Sequence, residues 1–334
     1  MACARRPLSF AMTRFQFVPE VVTEVAASLF PAAPVLDIVP LRGGLEASVA
    51  RLVLGDKSRR HVVVKRLAHG AKREALRYQA LAATGVTPSL LGIVDHAGST
   101  YLFLERIRPA SSWPWRDSAN TRLVLEQLAR VHRFGHAEAH DDWDYEGELR
   151  ASVEETIAVA AEIAPSLPEL DVRRELRTLR RVAAELGPAR ERMKRVLGTT
   201  LVHGDVHTGN VMLRSRGGRA EIVFLDWGRS RRGSPLEDVS SWLLSLRSWE
   251  PAAARDHDTL FRAYLAAAGH PPALTAELRD VYWTAAASNA FAGALRYQLL
   301  VARERGGKQR ATAIAHAHAA FRVIRRAAER LPRT

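Results

Sequence analysis

The sequence predicts an α+β fold, with a small β-rich part before about residue 107 and a larger, mostly helical part after it. In the first part, short runs of β-branched residues alternate with turn residues, as in an antiparallel sheet. In the second part, apolar residues recur with the helical period over long segments, and one hairpin pattern interrupts them. A β-rich part followed by an α-rich part implies two lobes with a cleft between them, where ligands tend to bind.

The first lobe is expected over residues 19–107, after a flexible segment at 1–18. Residues 19–30 have the helical period, and Pro19 suits the first turn of a helix. The other predicted elements are strands at 35–41, 49–54, 61–67, 91–95 and 101–107 and a helix at 72–81. Together they give a small antiparallel sheet with one inserted helix.

The second lobe is expected over residues 108–334. Its predicted helices lie at 118–134, 148–164, 169–195, 236–248, 256–268, 274–300 and 308–330. The interrupting hairpin turns at Gly217 and Gly218. A hairpin brings its ends together, so Asn210, before its first strand, should lie close to Asp226, after its second.

Composition excludes several classes of protein. Hydrophobic residues make up 47% and charged residues 25%, as in ordinary globular proteins. No apolar window of about 20 residues is present, so no membrane span is expected. The single cysteine, Cys3, excludes an internal disulfide and a cysteine-based metal site, and a cytoplasmic setting is expected. No long apolar run follows Arg5 and Arg6, which argues against a signal peptide.

Positive charge is in excess, with 49 Lys and Arg against 36 Asp and Glu, a formal +13. The excess is uneven, since ten basic and two acidic residues lie from Arg296 to the end. A basic helix can bind nucleic acid or an anionic surface. We favour a solvated helix face, because charge runs commonly mean no more than that.

The most informative stretch runs from Leu201 to Asn210, Leu-Val-His-Gly-Asp-Val-His-Thr-Gly-Asn, with Phe-Leu-Asp-Trp-Gly at 224–228. It supplies three short side chains with oxygen atoms, those of Asp205, Asn210 and Asp226. Asn210 and Asp226 can share a hard cation such as Mg²⁺, beside a free carboxylate of Asp205. Phosphoryl transfer needs this set, two oxygen ligands for Mg²⁺ and a separate base for the acceptor hydroxyl.

The pattern H-x-D-x-x-x-x-N, followed by an Asp in a D-F-G-like position, resembles the eukaryotic-protein-kinase-like enzymes. With His-Gly-Asp at 203–205, it is similar to their aminoglycoside phosphotransferase and choline kinase branch, which phosphorylates small molecules. The resemblance covers residues 35–245. It implies a two-lobed protein-kinase-like fold and transfer of a phosphoryl group from ATP, with Mg²⁺, to a hydroxyl of a small molecule. GTP is an alternative nucleotide.

On this resemblance, Asp205 is the catalytic base, and Asn210 and Asp226 hold Mg²⁺. Each also has a plain alternative as a loop residue, because Asp and Asn are common in turns. The complete motif favours function. His203 is expected to hold the loop through backbone hydrogen bonds rather than to transfer protons. His207 is a candidate for contact with the acceptor or the phosphate.

Three residues near the motif receive structural roles. Trp227, in the place of the Phe of protein kinases, is expected to pack against the helical lobe. Asp238 is expected to cap the next helix and to brace the loop. Thr208 stands where relatives often carry Pro, a departure that would loosen the loop slightly without removing a ligand.

The resemblance also assigns nucleotide contacts in the first lobe. Lys65 ends a Val-Val-Val-Lys run and would bind the α- and β-phosphates, with Glu74 as its ion-pair partner. By itself, a lone Lys on a strand is usually solvated. The other assigned residues are Gly43, Gly44 and Ser48 at the triphosphate and the backbone of Glu105 and Ile107 at the adenine.

The expected acceptor is an antibiotic, such as an aminoglycoside or a nucleoside, as in a resistance enzyme. The alternatives are a metabolite (a sugar, choline or homoserine) and a non-catalytic nucleotide-binding module. The segment 138–148 has six carboxylates and two aromatic residues, which suits a cationic acceptor, and a solvated loop is an equal alternative. The net charge of +13 argues against a polycation. Pro235 follows Asp226 by only nine positions, too few for the peptide platform of a protein kinase. Oligomeric state stays open.

Overall fold

The computed structural model describes residues 18–41, 48–67, 72–134 and 143–331. The chain forms two compact units, which divide between Arg108 and Pro109. The first is a small β-rich lobe and the second a larger helical lobe, so the predicted two-lobed α+β fold is confirmed. No helix in the described ranges combines the length and the apolar character that a membrane crossing requires.

The first unit contains a five-stranded antiparallel sheet in the order β1-β2-β3-β5-β4. Its elements are α1 (Pro19–Leu29), β1 (Val35–Pro40), β2 (Ser48–Leu54), β3 (His61–Arg66), α2 (Lys72–Leu81), β4 (Leu90–His96) and β5 (Ser99–Glu105). Val22 and Val25 of α1 pack into one apolar cluster with inward residues of the sheet such as Leu52 and Phe103. The predicted elements of this lobe are confirmed, and their ends differ by at most two residues.

The second unit consists mainly of helices around a short β region. Its elements are α3 (Ser118–Phe134), α4 (Tyr145–Ile163), α5 (Val172–Leu197), β6 (Thr200–Val202), β7 (Val211–Arg216), β8 (Arg219–Phe224), β9 (Arg231–Gly233), α6 (Pro235–Trp249), α7 (His257–Ala268), α8 (Ala276–Asn289), α9 (Leu295–Glu304) and α10 (Gly307–Ala328). β6 pairs with β9, and β7 pairs with β8 around the turn at Gly217 and Gly218. The predicted hairpin is therefore confirmed.

One expectation about the second unit was wrong, and one of its strands was not anticipated. The single helix predicted at 274–300 is two helices, because a π-helical segment at Ala290–Ala294 separates α8 from α9. Gly293 in that segment has φ 124°, a conformation outside the helical region that glycine tolerates. Strand β9 was not predicted at all, since Arg-Arg-Gly has neither β-branched nor alternating character.

Helices α4, α5, α8, α9 and α10 enclose one continuous apolar core. Phe291, Leu299 and Phe321 are fully or almost fully buried in it. Five arginines of α9, α10 and the residues just after them form ion pairs with acidic residues of α4, α5, α8 and the short turn between α4 and α5. The pairs are Arg296–Glu155, Arg303–Glu162, Arg310–Glu169, Arg325–Glu175 and Arg330–Asp280. Much of the basic C-terminal charge is therefore neutralised within this lobe, which adds to the case against a nucleic-acid surface.

Candidate active site

Residues 203–210, which we call the motif loop, connect β6 to β7 in the second unit. Gly204 gives this loop a turn that no other residue fits. Its φ is 79°, and a Cβ there would lie 2.2 Å from Nη1 of Arg231 and 2.3 Å from the carbonyl oxygen of Arg229. Arg231 cannot easily move away, because its guanidinium donates to the Arg229 carbonyl at 3.1 Å and pairs with buried Glu237. Both the backbone angle and the available space therefore require glycine.

The carboxylate of Asp238 holds the backbone at the start of the motif loop. It is fully buried on α6, and its oxygens accept hydrogen bonds from the backbone N–H groups of His203 at 2.7 Å and Gly204 at 2.8 Å. Burial alone would raise the pKa of this carboxyl, but the hydrogen bond with His132 and the loop amide outweigh it, and the pKa of Asp238 lies below its ordinary value. The brace predicted for Asp238 is present, and the carboxylate stays ionised.

The predicted cap on α6 is a different residue. Ser234 occupies the position before the first turn, and its backbone N–H donates to the Glu237 carboxylate at 3.3 Å. Ser234 and Glu237 together therefore form the helix cap that we expected from Asp238. Asp238 lies one residue further along, which directs its carboxylate toward the loop instead of toward the helix end.

Two further buried side chains, those of His132 and Tyr264, form a chain of hydrogen bonds that ends at the Asp238 carboxylate. Nε2 of His132 lies 3.1 Å from a carboxylate oxygen of Asp238, and Nδ1 of the same ring lies 2.8 Å from the Tyr264 hydroxyl. The Nε2–H tautomer satisfies both contacts, because the ring then donates to the carboxylate and accepts from the hydroxyl. A chain of buried hydrogen bonds therefore runs from α7 through α3 and α6 to the motif loop.

His203 has the contacts of a scaffold residue. Its Nδ1 accepts from the backbone N–H of Asp205 at 3.2 Å, and its Nε2 lies 2.8 Å from the Leu225 carbonyl, to which it donates. Complete burial lowers the pKa of the ring, although nearby Asp238 and Asp205 favour its charged form. The ring also packs against Trp227 in a tilted arrangement, with centroids 4.5 Å apart and an interplanar angle of 55°. A neutral, buried imidazole that bonds only to the backbone holds the loop and has no path to a substrate.

Asp205 and Asn210 lie together at the exposed side of the motif loop. Nδ2 of Asn210 donates to the Asp205 carboxylate and to the Asp205 carbonyl, each at 3.0 Å. Both partners are acceptors, so the amide nitrogen must face them, and the amide oxygen Oδ1 is directed elsewhere. His207 lies 3.7 Å from the carboxylate through Nε2 and accepts from the Gly209 N–H through Nδ1. The Asp205 carboxylate is 41% exposed, which keeps it open to a ligand.

The hairpin positions Asp226 as predicted. Val211 pairs with Phe224, and the N–H of Leu225 donates to the Asn210 carbonyl at 2.8 Å. Asp226 follows at once, with φ 62° and ψ 71°. A residue other than glycine in this left-handed region is uncommon and tends to occur at functional sites. Trp227 after it is fully buried and donates to the Phe224 carbonyl at 3.1 Å, which agrees with its expected packing role.

The residues at this point fit a Mg²⁺ ion that arrives with a nucleotide. Over the described ranges, no three His, Cys, Asp or Glu side chains form a cluster that holds a metal by itself. Asn210 and Asp226 offer one amide oxygen and one carboxylate. Protein sites for nucleotide-bound Mg²⁺ commonly supply one or two such oxygens and leave the rest of the octahedron to phosphate and water. The role of these two residues as ligands stays a prediction.

In the first unit, the predicted ion pair is present. Nζ of Lys65 lies 2.7 Å from Oε1 of Glu74, and the side chains are only 9% and 5% exposed. Ser48 begins β2 and is buried, Glu105 ends β5, and Ile107 follows as a buried residue. Gly43 and Gly44 lie outside the described residues. The nucleotide-binding roles of all seven residues stay predictions.

Several residues that support the site escaped sequence analysis. His132 and Tyr264 are far from the motif, and Arg231 belongs to no known pattern, whereas Glu237 belongs to a capping-box pattern, Ser234-Pro-Leu-Glu237, that could have been recognised. Ser245 was missed as well, although its Oγ accepts from the Thr208 N–H at 3.1 Å. A proline at position 208 would lack that N–H. This hydrogen bond anchors the loop at Thr208 and argues against the expected loosening, which stays untested.

Comparison with known proteins agrees with this geometry. The family model described as APH, phosphotransferase enzyme family, matches residues 37–281. No curated protein is detectably similar to the chain in sequence.

Three solved structures share the fold. A choline/ethanolamine kinase family protein from Mesorhizobium loti is 18% identical, with TM-score 0.64 over 93% of this chain and 97% of the other. A choline kinase from Cryptosporidium parvum Iowa II is 10% identical, with TM-score 0.64 over 91% and 95%. The aminoglycoside phosphotransferase APH(3'')-Id from Streptomyces rimosus is 16% identical, with TM-score 0.54 over 81% and 98%.

We expect Gly204→Ala to lower the free energy of unfolding more than Gly218→Ala does. The two glycines have φ of 79° and 77°, so both substitutions cost about 1–2 kcal/mol for a left-handed backbone. Only at Gly204 does a new Cβ meet backbone within 3 Å, whereas nothing lies within 4 Å at Gly218. Urea unfolding of both variants measures the difference. Equal losses would contradict the steric argument.

We expect Asp238→Asn to lower the free energy of unfolding by about 3–5 kcal/mol, because an amide cannot accept from all of its present donors. The pKa of Asp238 is depressed by folding, so the carboxylate stabilises the fold fully above its ordinary value of 3.8 and loses this effect as the pH falls through its lower folded value.

The difference in unfolding free energy between wild type and Asp238→Asn should therefore stay constant from about pH 7 to pH 5 and shrink below about pH 4. Urea unfolding across this range measures it. A difference that persists undiminished at about pH 2 would show that ionisation of Asp238 is not its source.

Proposed function

Because the chain belongs to the phosphotransferase enzyme family and is a small-molecule kinase, we propose that it transfers the γ-phosphoryl group of ATP to a hydroxyl group of a small molecule. The observation that carries this proposal is the pair of hydrogen bonds from Asn210 to Asp205. They orient a half-exposed carboxylate beside an amide oxygen on one rigid loop. A base and a cation ligand in fixed relation are what this reaction requires.

Asp205 would act on the acceptor hydroxyl. Its carboxylate would accept the hydroxyl proton and direct the oxygen toward the phosphorus atom. A strong base is unnecessary, because the transition state of phosphoryl transfer is loose and proton removal can come late. The exposed position of the carboxylate supports this role, and the backbone contacts from His203 support its orientation.

Asn210 and Asp226 would hold Mg²⁺ through Oδ1 of the amide and the carboxylate. When bound, the ion neutralises the charge of the phosphate oxygens. Lys65 would add a second positive charge at the α- and β-phosphates, and Glu74 would fix its ammonium in place. ATP is the proposed nucleotide, and GTP is tested beside it.

A small acceptor is supported by the short connection after Asp226. A single helical turn, Trp227–Arg229, and strand β9 (Arg231–Gly233) lead directly into α6 at Pro235. This connection has no extended segment on which a peptide could lie. The intact Lys65–Glu74 pair and the Asp205–Asn210 contact favour an active enzyme over a non-catalytic module.

The proposed function is tested by ADP release from the full chain with Mg²⁺ and ATP or GTP. The acceptor panel should include the two groups named by the sequence analysis, antibiotics with free hydroxyls and hydroxylated metabolites. Release that depends on one acceptor, with a phosphorylated product by mass spectrometry, would establish the reaction. Failure to bind ATP with Mg²⁺ would remove the basis of the proposal.

We expect Asp205→Ala to reduce kcat by about 10²–10⁴-fold, because the acceptor hydroxyl loses its base. ATP binding, measured by titration calorimetry, should change little, since Asp205 is not assigned to the nucleotide. Asp256→Ala is the control, because Asp256 is an exposed carboxylate outside the motif loop. Full activity of the Asp205 variant would refute the base assignment.

We expect Lys65→Met to weaken ATP binding and also to destabilise the fold, because the buried carboxylate of Glu74 would lose its ion pair with Lys65. The double variant Lys65→Met/Glu74→Gln removes that buried negative charge, so thermal stability should largely return. Activity should not return, since the phosphates still lack their cation. Recovery of both stability and activity in the double variant would assign the pair to structure alone.

A further inference from the structure

We propose that the acceptor carries an anionic group, a carboxylate or a phosphate, that Arg229 binds, and that acceptors bearing an ammonium group are selected against. This inference rests on the proposed phosphotransferase function. It concerns a cluster beside the motif loop that we call the arginine–aromatic patch, formed by Trp143, Tyr145, Glu148, Arg229 and Arg231.

The arginine–aromatic patch adjoins the residue that precedes the proposed base. An added Cβ on Gly204 would lie 2.3 Å from the Arg229 carbonyl and 2.2 Å from the Arg231 guanidinium. Arg229 also follows Asp226 by only three positions. Both segments belong to the second unit, so the position of the patch next to the motif loop is fixed by direct contact.

The aromatic rings of the patch already face cations. The Arg231 guanidinium lies 3.5 Å from the centroid of the Tyr145 ring and 6.0 Å from that of Trp143. The Arg229 guanidinium lies 5.9 Å from the centroid of the Trp143 ring. An ammonium group is recognised by an open aromatic face. These faces are engaged by the chain's own arginines, so they offer an external cation little attraction.

The described carboxylates of the acidic segment are engaged as well. Glu146 accepts from Arg190 at 2.9 and 2.8 Å and pairs with Lys194 at 2.8 Å. Burial would raise its pKa, but these cations lower the pKa to about 2. Asp144 accepts from the backbone of Gly147 at 2.9 Å and starts α4. Glu148 accepts from the Trp143 indole at 2.6 Å. A cationic acceptor, which we considered for residues 138–148, would therefore find few available carboxylates among the described residues of this segment.

Arg229 is the cation of the patch that a ligand can reach. Its side chain is 34% exposed, whereas Arg231 is 2% exposed and committed to Glu237. Its partner Glu148 is 47% exposed and lies 3.7 Å away. Exposed pairs at such a distance contribute about 0–1 kcal/mol, so an anion on a bound acceptor can replace Glu148. A guanidinium binds carboxylates and phosphates through paired hydrogen bonds. The net charge of +13 also attracts anions over a distance.

The test is ADP release by the full chain with sets of hydroxylated acceptors that share a skeleton and differ in charge. Glucosamine, glucose and glucuronate form one set, and serinol, glycerol and glycerate form another. We expect the anionic member to exceed the ammonium member in kcat/KM by about 10- to 100-fold, the effect of one hydrogen bond between charged partners.

Arg229→Glu should reverse this order, because it frees the Trp143 face and places a second carboxylate beside Glu148. The atoms of Arg229 that lie near Gly204 belong to its backbone carbonyl, so a change of its side chain leaves this contact with the motif loop in place. Arg262→Glu is the control, since it makes the same change of charge at an exposed position of α7.

A wild-type preference for the ammonium members would overturn the inference. So would an Arg229→Glu variant that changes all members by the same factor, which would indicate a role in positioning the loop. Absence of ADP release from every member and from the wider acceptor panel, in protein that binds ATP, would instead refute the proposed phosphotransferase function. The two failures are therefore distinguishable.

Discussion

The hydrogen bonds from the backbone of His203 and Gly204 to the buried carboxylate of Asp238 are the constraint on which the site depends. A carboxylate removed from water is costly unless each of its oxygens has donors, and here two loop amides and His132 supply them. Because both oxygens are engaged, the start of the motif loop has one position relative to α6. His203 then fixes the backbone N–H of Asp205, and Asp205 in turn is bonded to Asn210. The side chains of Asp205 and Asn210 are partly exposed, and a buried hydrogen-bond network sets their positions.

The first turn of α6 also forms ion pairs with neighbouring elements. Glu237 precedes Asp238 and pairs with Arg231 of β9 and, at 3.3 Å, with Arg190 of α5. Acidic residues in the first turn of a helix are favoured by the partial positive charge of its N-terminus. Arg190 also forms an ion pair with Glu146 of α4, and the Arg231 guanidinium lies against Gly204. One helical turn therefore connects α4, α5, β9 and the motif loop, which explains why so many charged groups are buried near the site.

The parts of this structure that were predictable from sequence are those with local signals. The hairpin has a Gly-Gly turn between β-like runs, and the Lys65–Glu74 pair lies in a strand and helix with a familiar spacing. The break between α8 and α9 was missed, because a single glycine in a helical pattern does not by itself indicate a π-helical turn. His132 and Tyr264 were missed because they lie 106 and 26 positions from Asp238 and meet it only in the folded chain. Buried polar networks of this kind are set by tertiary packing, which single-residue patterns do not encode.

The fold supplies the residues proposed for phosphoryl transfer, whereas the distribution of charge bears on which acceptor binds. The basic run from Arg296 onward suggests a strongly basic surface, yet the arginines of α9 and α10 named above meet acids of their own lobe. The same holds for the acidic segment, whose described carboxylates are engaged by cations or backbone of the chain. Therefore neither the net charge of the chain nor a run of like charges in its sequence identifies a ligand. What remains informative is a charged group that is partly exposed, weakly paired and carried by a segment that contacts the motif loop, and Arg229 meets these conditions. For a fold in which the residues proposed for phosphoryl transfer are held by a buried network, specificity is best sought in such groups at the edge of the motif loop.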